Sequence, residues 1–270
     1  LNNTHHTPDP ESLRDLAVSV AAEAGELAAE GQAGITVLDT KSSPTDVVTK
    51  MDRAAEELIR TRLLQERPDD AILGEEGGGA PGTSGVRWIV DPIDGTVNYL
   101  YGLPDWAVAI AAEVGGRVVA AAVAVPVRGE MFEAVLGAGA YRNREPLRAP
   151  AAVPLERALV ATGFGYSARR REHQARVLLD VLPRIRDIRR DGSAAVDLTG
   201  LAVGRYNAYY ERGLNLWDWA APGLIAAEAG IRVGGPNGGP PSTDLVIAAR
   251  PELYEDLEVL LAPLAADTDG

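Results

Sequence analysis

The stretch "RWIVDPIDGTVNYL", Arg87 to Leu100, ends an apolar run with two carboxylates, Asp91 and Asp94, and continues straight into Gly95 and Thr96. Pro92 has a fixed φ and no N–H, which leaves the Ile93 carbonyl free to bend inward. Two carboxylates this close raise each other's pKa unless a cation neutralises them. "TVNYLYG" then reads as a short helix, and N–H groups exposed at a helix start suit a phosphate. Alone, the stretch has two readings of equal standing. One is an acidic Asp-Pro turn whose second Asp caps a helix. The other is a site where carboxylates hold metal ions and backbone amides hold a phosphate.

Working outward, three further acids bear on the choice. "LGEEGGG" puts Glu75 and Glu76 after a short apolar strand, at the strand end where open α/β sheets present ligand groups. A solvated loop acid is the plainer alternative for both. "WDWAAPGLIAAEAG" puts Asp218 at a helix start between two tryptophans. An N-cap there is worth roughly 1 kcal/mol, whereas an acid among large apolar residues is partly buried and needs a partner. "VVTKMD" places Asp52 early in a helix, by itself an ordinary acid favoured by the helix dipole.

Around these acids the pattern alternates. Apolar spacing predicts helices over 11–30 and 50–66, then strands at "AILG" and "VRWIVD" separated by the surface loop "GGGAPGTSG". "WAVAIAAEV", "RVVAAAVAVPV" and "EMFEAVLG" follow at hairpin spacing and read as an antiparallel meander. The second half predicts strand 155–162, helix 169–182, strand 186–190, helix 194–203, strand 207–211 and helix 218–229. Strands 231–233 and 244–249 and a helix 251–264 complete it. Helices, a sheet, then alternating β and α predict a layered α/β (α+β) fold. Three prolines in "REPLRAPAAVP" mark a junction near 145–154. The division is a disordered tail over 1–10, an N-terminal α+β sub-domain over 11–148, and a C-terminal α/β sub-domain over 149–270.

Composition excludes several chemistries. With no cysteine there is no disulfide, thiolate metal site or cysteine nucleophile, and a reducing cytoplasm is the plain reading. Of the three histidines, His5 and His6 lie in the polar tail and His173 in the charged start of a helix, so none is given a chemical role. A net charge of −13 repels nucleic-acid phosphates and anionic lipid. It still admits a phosphorylated small molecule, provided cations lie between ligand and carboxylates. No apolar run approaches the roughly 18 residues of a membrane span, and no leader-like segment is visible.

"GEE", "WIVDPIDGTVNY" and "NAYYERGLNLWDWAAPGLIAAEAG", in this order, resemble the inositol monophosphatase family of magnesium-dependent phosphatases. The likeness runs over about residues 11–262, and "KSSPTDVVT", "TGFGYS" and "GSAAVDL" bring it nearest to the actinobacterial members. It implies the αβαβα sandwich of the sugar phosphatases. It further implies two to three Mg²⁺ ions per site: one held by Glu75, Asp91 and the Ile93 carbonyl, a second by Asp91, Asp94 and Asp218, and a weaker third near Glu75. Thr96 and Asp52 would orient and deprotonate the attacking water. Gly95 and Thr96 amides would hold the phosphate. Gly192, Ser193, Ala194 and Glu211 would contact the alcohol, with Lys41, Ser42 and Ser43 in a loop near the metals. Oxygen-only ligands suit Mg²⁺ better than zinc or copper, and no histidine or cysteine is required.

The implied reaction is hydrolysis of inositol 1-phosphate or a similar polyol monophosphate by a metal-activated water. Relatives that hydrolyse fructose 1,6-bisphosphate, histidinol phosphate or 3′-phosphoadenosine 5′-phosphate share the metal centre, and a non-catalytic regulatory role is the other class. For a second phosphate, Arg189 and Arg190 are the favoured contacts, while Arg169, Arg170 and Arg171 read as solvated. The resemblance also implies inhibition by Li⁺ and a homodimer, for which the apolar run 106–136 offers a surface. Two departures stand out. If Asp218 caps its helix, Pro222 removes an early helix bond, and Ser193 replaces a common threonine while keeping the hydroxyl.

Overall fold

The computed structural model describes residues 8–34, 37–40 and 47–269, with backbone alone at 37–40 and 47. Helix α1 (Pro10–Gly31) begins where the Asp9 side chain accepts the N–H groups of Glu11 and Ser12 at 3.2 and 3.3 Å. Asp9 and Pro10, assigned to the tail from sequence, thus form the helix start. Buried Leu13, Ala17, Val20, Ala21, Ala24 and Ala28 recur at the spacing of one helical face. Helix α2 (Lys50–Glu66) runs beside it and starts at Thr49. Two short antiparallel strands, β1 (Val37–Thr40) and β2 (Val47–Thr49), lie between the two helices in sequence.

Both helices cover one face of an eight-stranded sheet. Its members are β3 (Ala71–Gly74), β4 (Gly78–Ala80), β5 (Val86–Asp94), β6 (Ala107–Val114), β7 (Arg117–Val125), β8 (Glu130–Val135), β9 (Gly139–Arg142) and β10 (Glu145–Leu147). β5 through β10 neighbour one another in chain order as the expected meander, and β3 pairs parallel to β5. A five-residue helix, α3 (Thr96–Leu100), follows β5 directly.

The second sheet contains β11 (Leu159–Thr162), β12 (Asp187–Arg189), β13 (Ala208–Glu211), β14 (Arg232–Gly234) and β15 (Val246–Ala249). Helices α5 (Ala194–Ala202) and α6 (Leu216–Glu228) pack against both sheets, while α4 (Ala168–Val181) and α7 (Pro251–Leu261) cover the outer face of the second. The layers are therefore α, β, α, β, α, as expected. The chain passes from one sheet to the other between Leu147 and Leu159.

Local differences from the sequence reading have simple causes. "GGGAPGTSG" is not loop throughout, because Gly78–Ala80 pair with Gly74–Ile72 as the edge strand β4. Residues 155–157 form a 3-10 turn, and the strand starts only at Leu159. Much of the apolar run 106–136 is already covered within the chain, since β6 and β7 are sandwiched between α1 and α6, while Val127 and Leu136 stay exposed. Among the described residues no helix is long and apolar enough to cross a membrane.

Tyr99 of α3 joins the "DPIDGT" segment to the outer helix layer. It is fully buried, donates its hydroxyl to Ala28 O at 2.6 Å and meets Trp106 edge-on with ring centroids 5.0 Å apart. Tyr99→Phe loses one hydrogen bond, about 1 kcal/mol, whereas Tyr99→Ala loses the ring, roughly 3–5 kcal/mol. Urea unfolding of the two variants checks this, and equal losses would contradict the packing.

Candidate active site

β3 and β5 run parallel with Gly74 opposite Val90, so Glu75 and Asp91 leave the sheet side by side. Glu75 N–H continues the pairing to Val90 O at 3.3 Å. In a regular strand Asp91 and Asp94, three residues apart, would face opposite sides. Here the β5–β6 register slips between them, at Pro92 and Ile93, and the bulge turns both acids the same way. Gly95 then takes φ +97°, outside the range of most side chains, and a Cβ there would lie 2.9 Å from Asp105 O and 3.2 Å from Ser193 Cβ. This close approach lets the chain turn from strand into α3.

Asp218 arrives from α6, and one oxygen from each of Asp91, Asp94 and Asp218 lies within 4.8 Å of the others. Glu75 lines the same cleft just outside that tightest group. Asp218 is not the helix cap. Asn215 holds that position, and its N–H donates to Asp218 Oδ2 at 2.6 Å. Pro222 is consequently an interior helical residue. Its missing N–H leaves the Asp218 carbonyl without the usual partner four residues on.

Asp91 is buried, while Asp94 and Asp218 keep an edge toward the cleft. Asp94 Oδ2 accepts from Ser193 Oγ at 2.7 Å and Ala195 N at 2.6 Å. Desolvation by the surrounding protein still outweighs these bonds and raises Asp94 to about 6. Asp218 is pushed well above the usual carboxylate range, first by desolvation and then by the charges of Asp94 and Glu75. Such a group of oxygens fits a hard divalent cation, whose charge would remove both penalties. The Ile93 carbonyl accepts from Thr96 Oγ1 at 3.2 Å and has a second lone pair.

Asp52 is far from an ordinary surface acid. It is fully buried, and its Oδ2 accepts from Thr49 N at 2.8 Å and Thr49 Oγ1 at 2.5 Å. Its Oδ1 faces Thr96 Oγ1 at 3.0 Å. The capping interaction at the start of α2 therefore aims the other oxygen of the carboxylate at the hydroxyl beside the acidic cluster.

The remaining wall belongs to the second half of the chain. Gly192, Ser193 and Ala194 line the cleft where α5 begins, and Ser193 caps that helix by accepting from Val196 N at 3.2 Å. Glu211 ends β13, accepts from Tyr209 Oη at 2.7 Å, and is raised to about 7, mainly by desolvation. The cleft has a volume of about 520 Å³. Arg190 lines it, but Arg189 does not, being turned away to Asp187 Oδ2 at 2.8 Å. Arg170, read as solvated, lines the cleft instead and shares Asp269 with Arg212. His173 Nε2 meets Ala265 O at 2.9 Å and has no place in the cleft. Lys41, Ser42, Ser43, His5 and His6 lie outside the described residues.

Three residues around the cleft went unread in the sequence. Asn98 Nδ2 donates to Asp105 O and Asp191 O, both at 2.6 Å, and so ties α3 to the segment before Ser193. Glu56, one helical turn after Asp52, accepts the N–H groups of Glu76 and Gly77, both at 2.7 Å. Asp197 of α5 is 1% exposed, and among the described residues neither of its carboxylate oxygens has a hydrogen-bond partner. The "DGTVNY" continuation was a signal for Asn98. Glu56 and Asp197 carry none that distinguishes them from other helical acids.

Burial raises Asp197 well above its ordinary 3.8, with Asp191, Glu211 and Asp94 adding to the shift. The folded chain therefore holds this proton more tightly than the unfolded chain, and the native state loses stability as pH rises from about 4 through the raised pKa. Asp197→Asn is expected to match the parent near pH 4 and to melt higher at pH 8. Thermal melts across that range check the sign, and a lower melting point at pH 8 would contradict it.

Comparison with known proteins gives a consistent answer. The model of the inositol monophosphatase family matches residues 9–267. The inositol-1-monophosphatase SuhB of Mycobacterium tuberculosis is 46% identical, with 92% of this chain and 93% of that protein covered. The solved structure of Mycobacterium tuberculosis SuhB superposes with a TM-score of 0.83 at 43% identity, covering 97% of this chain and all of that one. The Nus factor SuhB of Escherichia coli is 37% identical over 84% of this chain and 86% of its own length. With the family model spanning nearly the whole chain, this protein belongs to the inositol monophosphatase family and is a phosphatase of phosphomonoesters.

Proposed function

We propose that the chain hydrolyses inositol 1-phosphate and similar polyol monophosphates in an Mg²⁺-dependent reaction. The observation that carries this reading is the convergence of Asp91, Asp94 and Asp218 within 4.8 Å at the floor of a cleft whose other wall is Ser193 and Glu211. Glu75, Asp91 and the Ile93 carbonyl would hold one Mg²⁺, Asp91, Asp94 and Asp218 a second, and Glu75 a weaker third. Bound there, Mg²⁺ would neutralise the carboxylates and the phosphate and lower the pKa of a water. Thr96 would orient that water. Its Oγ1 stands 3.0 Å from Asp52 Oδ1, so a proton reaching the hydroxyl passes to a carboxylate already fixed by Thr49. The N–H groups of Gly95 and Thr96 meet the phosphate oxygens, while Glu211 and the start of α5 meet the alcohol hydroxyls.

Family membership also supports a homodimer, inhibition by Li⁺ competing for the Asp91–Asp94–Asp218 position, and a cytoplasmic place of work. A second reading, a substrate with another anionic group, is favoured by Arg190 and Arg170 on the cleft wall. A regulatory role like that named for the Nus factor relatives has the complete acidic constellation against it.

Phosphate release from inositol 1-phosphate, fructose 1,6-bisphosphate, histidinol phosphate and 3′-phosphoadenosine 5′-phosphate, each with and without Mg²⁺, tests the substrate. Mg²⁺-dependent turnover of the inositol ester above the others is the expected result. A different preferred ester overturns the pocket reading and leaves the metal reading, and no turnover at all moves the regulatory role forward. Asp94→Asn is expected to lower kcat by roughly 10²–10³-fold with the melting curve retained, and full activity would remove Asp94 from the metal site. Light scattering should give the mass of a dimer of 28.5 kDa chains, which a monomer mass would refute.

A further inference from the structure

Helix α2 carries two buried carboxylates one turn apart, Asp52 and Glu56, 0% and 3% exposed. Residues four apart lie on one helical face, and here each acid serves a different segment of the cleft floor. Asp52 holds Thr96. Glu56 holds the chain just after Glu75: Oε2 accepts from Glu76 N and Oε1 from Gly77 N, both at 2.7 Å. Arg60, on the next turn of α2, closes the clamp. Its Nε donates to Glu56 Oε1 at 2.9 Å and its Nη2 to Gly78 O at 2.5 Å.

The fit leaves no slack. A Cβ on Gly74 would lie 2.5 Å from Glu56 Oε1, and one on Gly77 would lie 2.6 Å from the same atom, so the loop backbone packs directly on the carboxylate. On its other side Glu75 is pinned by its N–H to Val90 O, immediately before Asp91. The backbone of Glu75 is therefore set from two directions, by the metal-bearing strand and by α2. A carboxylate that accepts two adjacent backbone N–H groups fixes the peptide planes between them, and with those planes the direction in which the preceding side chain leaves.

We propose that Glu56 is a positioning residue for the metal centre, acting through the Glu76–Gly77 backbone to hold Glu75 in register with Asp91. With Asp52 it makes α2 a rigid spacer between the Glu75 loop and Thr96. The proposal rests on the reading of Glu75 as a metal ligand.

The test is Mn²⁺ binding to the full chain without substrate, followed by electron paramagnetic resonance, for the parent, Glu56→Gln, Glu75→Gln and Leu63→Ala. Glutamine offers one acceptor and one NH₂ group, so one of the two loop N–H groups faces a donor. Glu56→Gln is expected to weaken the tightest Mn²⁺ site by about 10- to 100-fold, the usual range for residues that orient a ligand. Leu63→Ala removes a buried side chain of the same helix from the apolar core against the first sheet. It should lower the melting point and leave Mn²⁺ affinity unchanged.

The proposal is overturned if Glu56→Gln only lowers the melting point, or if Leu63→Ala loosens Mn²⁺ to the same extent. If Glu75→Gln leaves Mn²⁺ binding unchanged, the metal reading of Glu75 fails and the proposal falls with it. Loss in Glu75→Gln alone defeats the role of Glu56 and keeps that of Glu75. Should Glu56→Gln not fold, Gly77→Ala displaces the loop from the same carboxylate and must show the same weakened site.

Discussion

One carboxylate oxygen from each of Asp91, Asp94 and Asp218 is held within 4.8 Å of the others in a setting that leaves them little contact with water. Like charges so placed oppose folding, and the surrounding architecture is what keeps them together. A strand, the bulge near its end and the first turn of a helix deliver one acid each from well-packed elements. The five layers around them supply apolar burial enough to tolerate a local arrangement that is unfavourable on its own.

The second feature of the fold is that the cluster lies where the two sheets are joined. Asp94 belongs to the first sheet, yet its Oδ2 is engaged by Ser193 and Ala195, which open a helix packed against both. Asn98 repeats the link one turn later through Asp105 O and Asp191 O. The cleft floor and the wall formed by the start of α5 are thus bonded to each other directly.

Much of this was legible in the residues. Helix α1 follows from the spacing of Leu13, Ala17, Ala24 and Ala28, and the meander from apolar runs broken at Gly115–Gly116 and Arg128–Gly129. The acids stood out because Pro92 and Gly95 interrupt an otherwise buried strand. What stayed hidden was set by tertiary geometry. Asp218 and its N-cap Asn215 lie three residues apart, too close for propensity to choose between them. Arg189 and Arg190 are neighbours in a strand end, so opposite directions follow from register alone. The fate of 106–136 depended on α6, which lies some ninety residues further on in the chain and covers the sheet face that the run presents. Glu56 looked like any helical glutamate until the loop that packs on it was in place.

Because one oxygen of Asp94 is spoken for by the start of α5, cation affinity and order in the segment around Ser193 are thermodynamically linked. Whatever tightens that segment against Asp94 alters the hold on a cation there by some factor, and the cation must alter the order of the segment by the same factor. On the proposed reading, a polyol seated against Ser193 and a divalent ion seated against Asp94 would then be reciprocal effectors. Each is bound more firmly, or less firmly, in the presence of the other, and a single carboxylate oxygen transmits the message in both directions.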